Sequence, residues 1–246
     1  MLTDDNASDG KTGSAVCLII WKYYGKKGLS MQITIREPGS AITHFIGMMM
    51  AIVAATPLMV KAAMDSGVIA CFALAIFIGS MVALYGASAI YHSVTVRDGI
   101  LKVFRKLDHM MIFVLIAGSY TPVCLVILDT KAGRTLLAVV WSIAIIGMIT
   151  KACWITCPKW FSSTIYISMG WACLSVFGSL WDTLSRGAFL WLLAGGIIYT
   201  VGGVIYALKL PIFNSKHKNF GSHEIFHLFV MGGSVCHFVF MYLYVA

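Results

Sequence analysis

Seven stretches of this chain are continuously apolar over lengths that cross, or nearly cross, a lipid bilayer, and no other feature limits the fold as much. They lie at about Ala41 to Met64, Val68 to Tyr91, Met110 to Leu128, Leu136 to Thr150, Ser162 to Leu180, Ala188 to Leu208 and His223 to Val245. A helix rises 1.5 Å per residue, so about 20 residues span a hydrocarbon core roughly 30 Å thick. In that medium every backbone N–H and C=O must find an internal partner, which leaves helices or a closed barrel. The runs show no period-two alternation, so a barrel is excluded. A composition of 59% hydrophobic and 11% charged residues also lies outside the range of soluble domains. The sequence therefore predicts an all-α, multi-pass protein of the cell membrane, with seven transmembrane helices in residues 37–246. The fourth run is the shortest; Lys131, Arg134 and Lys151 bracket it as side chains snorkelling to the interfaces would.

Residues 1–36 are of another kind. Asp4, Asp5, Asn6, Ser8, Asp9 and Gly10 read as a disordered tail, and the apolar run Ala15 to Trp21 is too short to span, so a disordered or interfacial segment is expected. An acidic start argues against a signal peptide. Met31 stands shortly before the first helix as an alternative start.

Lys and Arg set the expected orientation. With the N-terminus cytoplasmic, fourteen of the eighteen fall on the cytoplasmic side and only Lys61, Lys131, Arg134 and Arg186 on the other, so the C-terminus is expected outside. A basic cytoplasmic rim facing anionic lipid also accounts for the net charge of +8 without a nucleic-acid partner. The seven cysteines are scattered through apolar sequence and read as packing residues; Cys153 and Cys157 would share a helical face, but no nearby histidine completes a zinc site.

An ionisable side chain inside a spanning helix costs about 2.5 to 3.5 kcal/mol on insertion scales, so each one calls for a partner or a function. Topology gathers several at one end. Ser88 and His92 lie four apart at the cytoplasmic end of the second helix, Asp108 opens the third, and His223 and His227 lie four apart at the start of the seventh. Three histidines with an open fourth position make the ligand set of a catalytic zinc, whose bound water has a pKa near 7. Asp108 would hold and deprotonate that water, and Ser88 would hydrogen-bond the water or a developing oxyanion. Glu37 lies at the positive end of the first helix dipole, and His44 lies one to two turns further in, either as a packed histidine or as part of the site. His237 falls about 21 Å deeper than His223, too far for a compact site, and is expected to make an interhelical hydrogen bond. Residues 118–122, Gly-Ser-Tyr-Thr-Pro, would form a polar, kinkable segment near mid-membrane.

His223, Glu224 and His227 also match HExxH, in which the glutamate is the general base of a metalloprotease. No Asp or Glu follows Glu224 to serve as a third ligand, so an intramembrane protease must borrow one from elsewhere.

The set Glu37-Pro38 with His44, Ser88-x-x-x-His92, Asp108-His109, the Gly118–Pro122 segment, and His223-x-x-x-His227 followed by Gly232-Gly233-Ser234 and His237 resembles the bacterial hemolysin III family. That is the prokaryotic branch of the progestin and adipoQ receptor family, related to alkaline ceramidases. The resemblance covers residues 37–246 and implies a seven-helix fold, zinc on His92, His223 and His227, and Asp108 and Ser88 at the zinc-bound water. It implies no role for Glu224. It also implies membrane-lipid homeostasis, hydrolysis of lipid amides in the wider group, and membrane lipids as partners; without a long extracellular domain, hormone reception is not expected. Two readings stay open beside a zinc-dependent lipid hydrolase: a non-enzymatic protein with structural zinc that acts on membrane fluidity or permeability, and the protease. N-terminal sequencing of the native protein tests the start: a first residue at Met31 is expected if that start is used, and a mature chain beginning upstream contradicts it.

Overall fold

The computed structural model of the chain describes residues 35–208 and 221–246. The expected N-terminal segment up to residue 34, with Met31, and the loop carrying Lys209, Lys216 and Lys218 lie outside the described residues. Among the described residues eight α-helices follow in order: α1 Pro38–Asp65, α2 Gly67–Ser93, α3 Asp98–Pro122, α4 Lys131–Cys153, α5 Lys159–Gly170, α6 Phe177–Thr183, α7 Arg186–Leu208 and α8 Ser222–Tyr244. A π-helical turn, Val123–Ile127, prolongs α3, and a 3-10 turn, Trp171–Val176, joins α5 to α6. The described residues thus hold seven segments long and apolar enough to cross a membrane.

Local chemistry sets the boundaries. Pro38 enters α1 in its first turn, where a missing N–H loses no helical bond. Gly67, at φ +82, makes the reversal into α2 in a conformation that L side chains avoid. Pro122 cannot donate to the preceding turn, and the helix widens just beyond it. The switch from α5 to the 3-10 turn is secured by Tyr120, whose hydroxyl donates to the Gly170 carbonyl at 2.6 Å and accepts from the Cys173 N–H at 3.0 Å.

Burial follows the logic of a protein in lipid. Phe77, Phe113, Phe240, Leu58 and Leu74 fill the interior. Large apolar side chains such as Val53, Met64, Val68 and Phe72 are instead exposed along the outer faces, where acyl chains solvate them. Helices pack in chain order, α1 on α2, α2 on α3 and α7 on α8, and α8 also packs on α1. That last contact joins the first and seventh spans and brings the starts of α1 and α8 together at the end of the bundle where α2 finishes.

Two local expectations are corrected. Cys153 and Cys157 do not share a helical face, because α4 ends at Cys153. Lys151 does not snorkel outward; it is buried, with its ammonium turned to Cys157 and Ser162. Trp141 and Trp171 turn their indole N–H groups inward, to Thr121 at 3.2 Å and Thr200 at 2.9 Å.

The small residues that permit close helix contact mark where the fold tolerates least change. A Cβ built on Gly118 of α3 would lie 2.8 Å from the Cβ of Ser80 on α2. Gly118→Ala should therefore force the two helices apart, at about 1 to 3 kcal/mol for overpacking, and lower the thermal unfolding midpoint of detergent-purified protein. An unchanged midpoint would show that α2 and α3 are not packed this closely.

Candidate metal centre

The segment entering α1 is clipped to the end of α2 by its backbone: Glu37 N–H donates to the His92 carbonyl at 3.0 Å and Arg36 N–H to the Ser93 carbonyl at 3.5 Å. This clip places the Glu37 carboxylate against His92 Nδ1, which donates to Oε2. The His92 hydrogen bond holds the Glu37 carboxyl below its ordinary value against partial burial, and the charges of His92, Arg36 and His223 act in the same direction. Glu37 therefore stays ionised further into the acid range than a free carboxylate, and its hold on His92 is lost only as pH falls through that lowered value. With Nδ1 committed as donor, His92 presents Nε2 as a lone pair to the interior.

His227 is oriented in a parallel way from α1. Thr43 directs its only O–H to the Gly39 and Ser40 carbonyls, both at 3.0 Å, so its oxygen accepts from His227 Nδ1 at 3.2 Å. Nε2 of His227 is thereby also left as a lone pair. His44 lies flat on the same ring, with centroids 3.6 Å apart and planes at 5°. Neither nitrogen of His44 has a hydrogen-bond partner, so its place is that of a stacked support.

His223 completes the group. Its Nε2 lies 3.3 Å from His92 Nε2, and ligand atoms of His92, His223 and His227 all lie within 4.8 Å of one another. Zinc–nitrogen bonds of about 2.0 to 2.1 Å at a tetrahedral angle separate two ligand nitrogens by about 3.3 to 3.4 Å. The His92–His223 spacing matches that value. All three rings are at least largely buried, His92 at 1% and His227 at 2% exposure. Three neutral nitrogen donors, two of them held in the ligating tautomer by outer partners, suit a borderline metal with imidazole preference.

Asp108, at 7% exposure, lies close enough to His44, His92 and His223 for its charge to act on each ring. The Ser88 hydroxyl, fully buried on the same face of α2 as His92, lies toward Asp108 without meeting it in normal hydrogen-bond geometry. The structure thus brings together all five residues singled out from the sequence: His92, His223, His227, Asp108 and Ser88.

Glu224 stands apart from them. One oxygen accepts from the Gly221 N–H at 2.8 Å, closing the N-terminus of α8, and the other from the Ser40 hydroxyl at 2.6 Å, tying α8 to α1. His237 faces the neighbouring helix α7, as expected. It packs edge-on to Tyr199 with centroids 5.3 Å apart, and the Leu192 carbonyl acts on it from outside normal hydrogen-bond geometry. The outer partners Glu37 and Thr43 had not been assigned to the site from sequence. A carboxylate opening α1 at the end of the bundle that holds His92 was a usable signal for the first; Thr43, one of many helical hydroxyls, carried none.

A long cavity leads away from the cluster. Its walls include His223, His227 and Asp108 at one end, then Leu84, Leu115, Ile116, Leu192 and Val230, and it reaches Leu180 and Phe189. On α3 and the start of the π-helical turn that prolongs it, the lining residues run from Arg105 to Val123, a rise of about 27 Å, close to the thickness of the hydrocarbon core.

A family model described as haemolysin-III related matches residues 32–238. Hemolysin-3 of Bacillus cereus is 37% identical over 214 residues, covering 87% of this chain and 94% of that protein. A Hemolysin-3 homolog of Bacillus subtilis is 36% identical over 206 residues, covering 83% of this chain and 92% of the relative. The adiponectin receptor protein of Drosophila melanogaster is more distant, at 27% over 184 residues, 67% of this chain and 40% of its own length.

Removing the outer partner should loosen the ring it holds. Glu37→Gln should weaken metal affinity about 10- to 100-fold, measured by competition with a chromogenic chelator; equal affinity would mean that the carboxylate does not orient His92.

Proposed function

Because the chain belongs to the haemolysin-III-related family, we propose that it is a zinc-binding membrane protein that hydrolyses an amide or ester bond of a membrane lipid, and so serves membrane-lipid homeostasis in the cell membrane. The observation that carries this reading is the coincidence of three converging imidazoles, two buried and the third half-buried, with the end of an apolar cavity nearly as long as the bilayer core is thick. Zinc held by His92, His223 and His227 would supply Lewis acidity and a water of near-neutral pKa. The distribution of Lys and Arg supports a cytoplasmic position for this end of the bundle.

The residues around the imidazoles then have separate tasks. Glu37 and Thr43 hold the rings of His92 and His227 in the tautomer that ligates. Asp108 takes a proton from the attacking water and returns it to the leaving amine or alcohol. The Ser88 hydroxyl, which has no partner of its own, donates to the oxyanion that develops on the carbonyl oxygen. Apolar walls seat the acyl chain and keep bulk water from the scissile bond.

The same geometry weighs against the other readings. Among the described residues the group of three histidines includes no carboxylate that closes the shell, as a structural zinc held by these histidines would require. Both oxygens of Glu224 serve the α8 terminus and Ser40, which removes the base that an HExxH protease needs. The haemolysis that names the Bacillus relatives would follow from changed lipid composition in this reading rather than from a pore.

Detergent-purified protein incubated with a mixed lipid extract should release fatty acid. Chelation should abolish the release, and Asp108→Ala should reduce it at least 100-fold, the lower end of a general acid–base contribution of about 10²- to 10⁴-fold. Release that is equal in the variant would remove Asp108 from the mechanism, and no release from either protein would favour the non-enzymatic reading.

A further inference from the structure

A second polar cluster, on α4, α5 and the turn between them, opens on the same cavity. Lys151, 3% exposed at the end of α4, donates to Cys157 Sγ at 3.1 Å and to Ser162 Oγ at 2.5 Å, and Cys157 lies 3.2 Å from Ser162. Among the described residues no carboxylate comes within ion-pairing distance of this ammonium. The next residue, Ser163, is 2% exposed and its hydroxyl has no hydrogen-bond partner. Lys151, Cys157, Ser162 and Ser163 all line the cavity.

The surroundings favour negative charge at this point. Ser162 and Ser163 sit in the opening turns of α5, whose capping residue is a proline without a side-chain acceptor and whose first turn holds no acidic residue. The positive end of that helix is thus unscreened. Burial opposes ionisation of Cys157, yet the hydrogen bonds from Ser162 and Lys151 and the Lys151 charge outweigh it and hold the thiol below its ordinary value. Arg105 and Lys159 also line the cavity, and among the described residues Asp108 is its only acidic wall residue. A buried ammonium without a carboxylate and a buried hydroxyl without an acceptor, beside a helix N-terminus, are each costly, and the apolar walls supply neither.

We propose that Lys151, Ser162 and Ser163 form an anion subsite that seats the carboxylate or phosphate head of an acyl-chained amphiphile whose chain lies in the cavity. The inference rests on the reading that the cavity takes lipid, but not on turnover. Lys151 supplies the charge, and Ser163 donates its otherwise unused O–H to the head group. Cys157 and Ser162 hold the ammonium in place.

The test measures binding to metal-loaded protein in neutral detergent, with oleate, oleyl alcohol, dioleoyl phosphatidylglycerol and inorganic phosphate as probes. Oleate or phosphatidylglycerol should bind more tightly than oleyl alcohol. A charge-assisted hydrogen bond corresponds to about a tenfold or greater loss in Lys151→Met, and Ser163→Ala should lose several-fold, with oleyl alcohol unchanged in both. Whether the loss falls on oleate or on phosphatidylglycerol distinguishes a free acid from a lipid head group. Equal affinity in wild type and variants overturns the proposal, as does equal loss of the uncharged alcohol, which would indicate a change of cavity shape. Binding of inorganic phosphate as tightly as either amphiphile overturns it too. If Lys151→Met does not fold, Ser163→Ala decides, since deleting an unsatisfied hydroxyl leaves the packing intact. A protein that binds oleate through Lys151 but releases no fatty acid would refute hydrolysis and leave the subsite standing.

Discussion

Without a carboxylate at Nδ1, the His92 ring could present either nitrogen to the centre of the bundle, and the convergence of three lone pairs would be lost. Glu37 removes that freedom, and Glu37 is itself held by two backbone hydrogen bonds between the start of α1 and the end of α2. The same helix then supplies Thr43 to His227 and the His44 ring that stacks on it. One helix entrance thus orients two of the three imidazoles. The third, His223, arrives on α8, whose first turn is closed by Glu224 and tied by Ser40 to α1. The site is assembled by contacts between chain segments more than 180 residues apart, so it forms only when the first and last spans dock.

In lipid this arrangement carries particular weight. Helices in a bilayer gain little from apolar burial against one another, because acyl chains solvate the same side chains; close packing and polar contacts must hold them together. Gly118 against Ser80 illustrates the first, and the Glu37, Thr43 and Ser40 contacts illustrate the second. The polar contacts therefore serve both purposes, docking the helices and setting tautomers. The cavity is the complement of that packing: its walls are apolar where a chain would lie and polar at the histidines and at Lys151.

Much of this was legible in the chain, for definite reasons. Spanning helices follow from length and continuous hydrophobicity, which needs no tertiary information. The cluster followed because alternating topology returns Ser88, His92, Asp108, His223 and His227 to one end, and four-residue spacing puts pairs on one face. Relations around a helix or across a loop were not legible. Lys151 reads as an interfacial lysine until the turn after Cys153 folds Cys157 and Ser162 beneath it. Glu224 matched a catalytic motif by spacing alone, whereas its helix position makes it a cap. His237 was expected to bond across helices; it reaches toward the Leu192 carbonyl and packs edge-on to Tyr199, a ring contact that spacing does not reveal.

The claim on which the rest turns is an open metal shell of three imidazoles, and X-ray absorption spectroscopy of the purified, metal-loaded protein measures it directly. One zinc per chain is expected, with three nitrogen ligands and one oxygen at about 2.0 to 2.1 Å, and one nitrogen fewer in His223→Ala. Protein that holds no zinc, or zinc with a shell closed by a carboxylate and unchanged in His223→Ala, would contradict it.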